Sequence, residues 1–332
     1  MASLMIPPAE APDFLAANGW GGAEIRPLAG DASFRRYFRV HRGDETAVLM
    51  DAPPAHEDVG PFLKVAGHLL ERGLIAPRPL AVDRGKGLLL LEDFGDQRVG
   101  PVVASEPDRE QEIYERAVDV LALLTRQGAP ADLAPYDDAA MTREVKLFTE
   151  WYMPALDLGV DEEDYLDAWR EAWGDVLAEV ARHPVLVLRD YHADNLMVLT
   201  DGRLGLLDFQ DALAGHAAYD LVSLLQDARR DVSPELEEAM FARFVAEAGI
   251  EDPERFRADY EVLGAQRNIK ILGIFTRLWK RDGKPAYPSM HPRIWGYLER
   301  NFAHPAVAPV RKWFEANVPP SARGDAVARR VA

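Results

Sequence analysis

Cysteine is absent from all 332 residues. That removes disulfide scaffolds, thiolate zinc sites, redox dithiols and cysteine nucleophiles together, so any chemistry falls to Asp, Glu, His, Ser, Lys and Arg. Positive charge is missing at the start, where no Lys or Arg precedes Arg26, and no apolar run there has signal-peptide length. No later run approaches the ~18 apolar residues that span a bilayer. The expectation is a cytoplasmic protein. Basic residues are outnumbered overall, 38 Lys and Arg against 55 Asp and Glu, for a net charge of −17. A field of that sign repels phosphate backbones and anionic lipid, which argues against nucleic-acid and membrane partners and leaves room for a locally basic pocket. There is no Gly-x-Ser-x-Gly elbow, His-Glu-x-x-His, Walker A loop or Gly-x-Gly-x-x-Gly fingerprint.

What remains is the balance of an ordinary globular chain, 48% apolar and 28% charged with 24 Gly and 24 Pro. At roughly 150 residues per domain, the length gives two domains or one domain with two lobes. The first 95 residues are strand-rich. Residues 36–40 and 46–50 read as a hairpin, a helix follows over 58–72 with Gly73 as its cap, and 80–83 with 88–92 form a second strand pair. Beyond residue 96 the pattern turns helical. Ile113, Ala117, Val120, Leu121 and Leu124 make one stripe, and Tyr165, Leu166, Trp169, Trp173, Leu177 and Val180 another. Ser233-Pro234 and Asp252-Pro253 each read as an N-cap with Pro at the first helical position, the second opening a long helix to about Arg281. Residues 319–332, rich in Ala and Arg, are expected to fray.

One strand-rich island, residues 185–209, interrupts the helices. Val185, Leu186, Val187 and Leu188 form a short buried strand that runs into the polar loop Arg189, Asp190, Tyr191, His192, Ala193, Asp194, Asn195. Two further strands, 195–199 and 204–208, flank Thr200, Asp201, Gly202 and Arg203, and the central Asp-Gly predicts a two-residue turn. If Thr200 pairs with Arg203, Asn195 falls opposite Asp208, near enough for an amide and a carboxylate to share one hard cation. Asp190 is left over as an acceptor for a hydroxyl proton. A surface hairpin with acidic ends has the same spacing, and the residues alone leave both readings open.

Arg189-Asp190, then Asn195, then Asp208-Phe209-Gln210 resembles the catalytic loop and metal-binding motif of the protein-kinase-like fold, closest to the aminoglycoside phosphotransferase family of small-molecule kinases. The stretches Gly30-Asp31-Ala32-Ser33-Phe34-Arg35-Arg36-Tyr37-Phe38-Arg39-Val40, Leu91-Glu92-Asp93-Phe94-Gly95, Asp208-Phe209-Gln210-Asp211-Ala212 and Gln266-Arg267-Asn268 are similar to its branch of bacterial anomeric sugar kinases. The resemblance implies an α+β, bilobal, protein-kinase-like fold: a small β-rich nucleotide-binding lobe over 1–95 and a larger, mostly helical catalytic and substrate lobe over 96–318. It implies Asp190 as base, Asn195 and Asp208 as Mg²⁺ ligands, and Ser33 and Arg35 on the loop over the ATP phosphates. Glu92 and Phe94 would form the adenine hinge, and Asp220 would brace the catalytic loop, although as a residue it equally suits a helix N-terminal charge.

Where the kinase pattern has a phosphate-binding Lys, this chain has Met50, so Arg35, Arg36 or Lys64 is expected to supply the charge. Asp190, Asp211, Arg267 and Lys270 are the expected substrate contacts. Gln266, Lys270, Gly273 and Arg277 share a helix face that suits a sugar carrying a carboxylate and an acetamide. Trp279, Trp295 and Tyr297 read as core, and His192 as a packed or loop-positioning histidine. The implied activity is ATP-dependent phosphorylation of the anomeric hydroxyl of N-acetylmuramate and N-acetylglucosamine in peptidoglycan recycling, by a monomer. Other small-molecule kinases, and a nucleotide-binding pseudokinase motivated by Met50, are the alternatives.

Overall fold

Strands β1 (Glu24–Gly30), β2 (Arg36–Arg42), β3 (Glu45–Asp51), β4 (Pro79–Asp83) and β5 (Leu88–Glu92) form one antiparallel sheet in the order β1-β2-β3-β5-β4. Alternation explains it. Phe38, Val40, Ala47, Leu49, Leu88 and Leu90 all fall on one face and pack with Phe14, Leu15 and Trp20, the first two from helix α1 (Ala11–Ala17). The computed structural model describes residues 5–30 and 34–331. It divides into two units: residues 1–102 with 194–211, and 103–193 with 212–332.

In the first unit the two expected hairpins bracket helix α2 (Gly60–Glu71), and Gly73 takes the left-handed φ of 76° just past its end. Two elements escaped the sequence reading. β1 contains Pro27 and a register shift between Pro27 and Ala29, which breaks the period-two pattern. α1 is seven residues, too short for its helical period to stand out. β7 (Leu196–Val198) and β8 (Leu204–Leu206) also belong to this unit.

The β7–β8 register corrects the expected one by a residue. Leu196 pairs with Leu206, Met197 with Gly205 and Val198 with Leu204. The loop is Thr200, Asp201 and Gly202, closed by Gly202 N–H to Leu199 O at 2.8 Å and Leu199 N–H to Arg203 O at 2.9 Å. Gly202 has φ 80°, so this is the three-residue loop that ends on a left-handed glycine rather than the two-residue turn. Asn195 therefore lies across from Leu207, whose N–H it accepts at 2.9 Å, and not from Asp208.

The second unit is helical, entered through α3 (Val99–Ser105). It contains α4 (Glu110–Gln127), α5 (Asp138–Leu147), α6 (Met153–Ala155), α7 (Glu162–Arg182), α8 (Ala218–Leu225), α9 (Pro234–Ala248), α10 (Pro253–Lys280), α11 (His291–Phe302) and α12 (Ala308–Asn317). One short pair, β6 (Val185–Val187) with β9 (Leu213–Gly215), lies among them. Both proline-headed helices start as expected, Ser233 Oγ accepting from Leu236 N–H at 3.1 Å and Asp252 Oδ1 from Arg255 N–H at 3.0 Å. Residues 319–331 pack instead of fraying. Ala322, Ala326 and Val327 are buried, Tyr152 Oη donates to Ala322 O at 2.8 Å, and Arg330 pairs with Asp157 at 2.6 Å. The small apolar side chains spaced along this tail give it a buried face. Among the described residues no helix is long and apolar enough to cross a membrane.

Candidate active site

In the first unit, Asn195 closes a single 3₁₀ turn, and Asp208 follows β8 with a left-handed φ of 56°. That turn of the backbone offsets the register slip. Asn195 Nδ2 lies 3.4 Å from Asp208 Oδ2, although the two residues are not a strand pair. Gln210 Nε2 donates to Asp208 Oδ1 at 2.8 Å, and Phe209 is fully buried, stacked on Phe62 of α2 at 5.1 Å. An amide and a carboxylate are hard oxygen donors, and the Asp208 side chain keeps 35% exposure, so the pair suits a hard divalent cation that also takes water and phosphate oxygens. Asp211, just beyond, is exposed.

The cations around this pair differ in their partners. Met50 is fully buried in β3. Arg36 is held by Asp51 at 2.8 Å and by the carbonyl of Ile6 at 3.1 Å, and Arg39 by Asp93 and Asp96, each at 2.8 Å. Arg35, 9% exposed, places its guanidinium 3.6 Å from Asp208 Oδ1. Lys64 lies half-buried on α2. Ser33 lies outside the described residues.

At the end of β5, Glu92 N–H is taken by Arg78 O at 2.9 Å. Asp93 accepts both from Arg39 and from Gly95 N–H, at 2.9 Å, which fixes the turn after the strand. The Phe94 ring packs on Gly205, where a Cβ would come within 2.7 Å of it. Sequence reasoning did not single out the Arg39–Asp93 pair, because 54 residues separate its members.

In the second unit, Asp190 is half-buried in the loop after β6. Asp220, in the first turn of α8, accepts Leu188 N–H at 2.6 Å and Arg189 N–H at 2.8 Å. Burial, with the charge of Asp190 added, pushes the Asp220 carboxyl up to about 7 in spite of those donors. Tyr191 pins the loop to α4 through Ala117 O at 2.8 Å. His192 is buried, and burial, Arg229 and Arg267 hold its imidazole well below the ordinary value, in the neutral form.

The α10 face expected to cradle a substrate is packed against α5. Gln266 is fully buried, and a Cβ on Gly273 would strike the backbone of Leu147. Lys270 Nζ donates to Glu144 at 2.9 Å and to Tyr219 Oη at 3.0 Å, so its charge is spent inside the unit. Burial would raise the Glu144 carboxyl, yet Lys270 and Arg189, with Tyr136 and Gln266 donating, hold it down at about 2. Arg267, 4% exposed, keeps a buried Nη1 without a hydrogen-bond partner. Trp295 and Tyr297 are core residues, Trp295 donating to Tyr152 Oη at 2.8 Å.

Two curated relatives bear the name N-acetylmuramate/N-acetylglucosamine kinase. The one from Caulobacter vibrioides is 39% identical over 93% of this chain and 96% of its own. The one from Pseudomonas aeruginosa is 41% identical over 87% of each. Among solved structures, a choline kinase from Streptococcus pneumoniae superposes with a TM-score of 0.58 at 11% identity, covering 86% of this chain and 93% of its own. An ADP-bound aminoglycoside phosphotransferase gives 0.57 at 14%, covering 88% and 97%. At those identities the likeness is one of fold, the small sheet and helical remainder of the protein-kinase-like enzymes. Residues 24–258 match the model of the phosphotransferase enzyme family, and with relatives this similar over nearly the whole length the chain belongs to that family.

Proposed function

We propose that this phosphotransferase moves the γ-phosphoryl group of ATP to the anomeric hydroxyl of N-acetylmuramate and N-acetylglucosamine, giving the sugar 1-phosphate, in peptidoglycan recycling. The observation that carries the chemistry is a loop carboxylate, Asp190, behind a backbone held by Asp220, five residues from an amide that meets a second carboxylate. The substrate rests on the likeness to the named sugar kinases. Asp190 accepts the hydroxyl proton as the sugar oxygen forms its bond to phosphorus and the bond to ADP breaks. Asn195 and Asp208 would hold magnesium, which supplies neutralising charge to the phosphate oxygens. Arg35 supplies the cation that Met50 does not, which favours catalysis over a pseudokinase. Glu92 and Phe94 serve the adenine, and Arg267 with its unpartnered Nη1 is the substrate-facing candidate best suited to an anionic group. A mostly β first lobe for the nucleotide and a helical second lobe for the sugar complete the reading.

ATP consumption by the purified protein with Mg²⁺ tests it, against N-acetylmuramate, N-acetylglucosamine, kanamycin, choline and homoserine. Turnover on the two acetamido sugars, giving a product that no longer reduces alkaline copper and abolished by Asp190→Ala, is the expected result. Turnover on kanamycin or choline alone would overturn the substrate, and ATP binding with no turnover would favour the pseudokinase.

A further inference from the structure

Arg189, directly before Asp190, has a backbone φ of 71°. Side chains other than glycine resist this left-handed region because Cβ crowds the following carbonyl oxygen. Contacts at both its backbone and its side chain hold the residue there. Its N–H is taken by Asp220 at 2.8 Å, and its guanidinium reaches Glu144, 45 residues away on α5. Glu144 is 7% exposed and is itself fixed by Lys270 at 2.9 Å, Gln266 at 3.0 Å and Tyr136. The carboxylate is therefore a rigid post with four donors on it, one of them the side chain of a conformationally unfavourable residue.

We propose that Glu144 is a positioning residue for Asp190. By anchoring the Arg189 side chain it keeps the left-handed turn at Arg189, and that turn sets the direction in which the next side chain leaves the loop. Asp220 fixes the loop by its backbone and Glu144 fixes it by a side chain, so neither the peptide nor the guanidinium is free to relax toward negative φ. This inference rests on the reading of Asp190 as the base. It differs from a bare structural role, in which Glu144 only neutralises the buried Lys270 and the backbone angle of Arg189 has no consequence.

Glycine separates the two, since it takes a left-handed φ without cost. Arg189→Ala loses the anchor and keeps the steric conflict; Arg189→Gly loses the anchor and the conflict together. At saturating ATP and sugar, kcat should fall about tenfold in Arg189→Ala and stay within about threefold of the parent in Arg189→Gly. The KM for ATP should be unchanged in both. Glu144→Gln should lower kcat about tenfold, and Arg189→Gly placed on top of it should restore kcat to the level of Arg189→Gly alone. Equal losses in the Ala and Gly variants, or a double variant no better than Glu144→Gln, would overturn the proposal. If Glu144→Gln does not fold, the Ala–Gly comparison decides alone. Asp190→Asn runs beside them: its full activity would remove the base itself, whereas its collapse with equal Ala and Gly losses removes only the role of Glu144.

Discussion

Three arginines within five residues illustrate how far a side chain's role depends on its partner. Arg36 faces the buried carboxylate of Asp51, Arg39 is claimed by Asp93 and Asp96, and Arg35 alone stands 3.6 Å from Asp208. Arg35→Met should therefore lower kcat/KM for ATP more than tenfold, about the 1.4 kcal/mol of one charge-assisted contact or greater. Arg36→Met should leave the kinetics near the parent and reduce stability by about 1–3 kcal/mol, because Asp51 is left buried with its charge uncompensated. Steady-state kinetics with urea unfolding on both variants would show the split, and equal kinetic losses would refute it. The same contrast explains what was legible. Asp190, Asn195 and Asp208 sit close together in the chain, so spacing and resemblance could single them out as candidates, and Asn195 and Asp208 do come within 3.4 Å of each other. Glu144 lies 126 residues from Lys270 and carries no local motif, so nothing short of the packed helices could find it. Lys270 was visible as a helix-face cation, yet its burial against Glu144 was not.

Among the elements, β2, β3, α2, α4 and α7 were readable from their apolar spacing, β5 from its run of four Leu, and α10 from the Asp252-Pro253 cap that opens it. The β7–β8 hairpin shows the limit, since an Asp-Gly pair fits both a two-residue turn and a three-residue loop with Gly202 left-handed, and the choice moves every pairing by one. Its strand β8 also carries a close approach. Gly205 does not have a left-handed backbone, so alanine there keeps the strand, but its Cβ would meet the Phe94 ring at 2.7 Å. The ring must move, and with it the turn after β5 that Asp93 and Gly95 hold. Gly205→Ala should raise the KM for ATP several-fold, about 1 kcal/mol of lost nucleotide binding, with kcat near the parent. Calorimetric titration with ADP would show the same loss, and unchanged ADP affinity would separate Phe94 from the adenine.

At the scale of the whole molecule, charge sets the response to pH. The chain carries a net −17, which opposes compaction at neutral pH and eases as carboxylates protonate. Two buried carboxyls of the second unit add opposite slopes. Glu144 is lowered from an ordinary 4.5 to about 2, so its contribution is present above 4.5 and is lost as pH falls toward 2. Asp220 is raised from 3.8 to about 7, so its contribution is present below 3.8 and is lost as pH rises through about 7. Together with the net charge, these place the maximum of stability on the acid side of neutrality, with a fall on both sides. Urea midpoints should therefore be higher near pH 5 than near pH 8, and added salt should recover part of the difference at pH 8 by screening. Glu144→Gln should flatten the acid limb. Asp220→Asn should flatten the neutral limb while still costing activity, since an amide has one oxygen for the two N–H groups of Leu188 and Arg189. A midpoint that rises steadily from pH 5 to pH 8 would contradict both the charge argument and the sign assigned to Asp220.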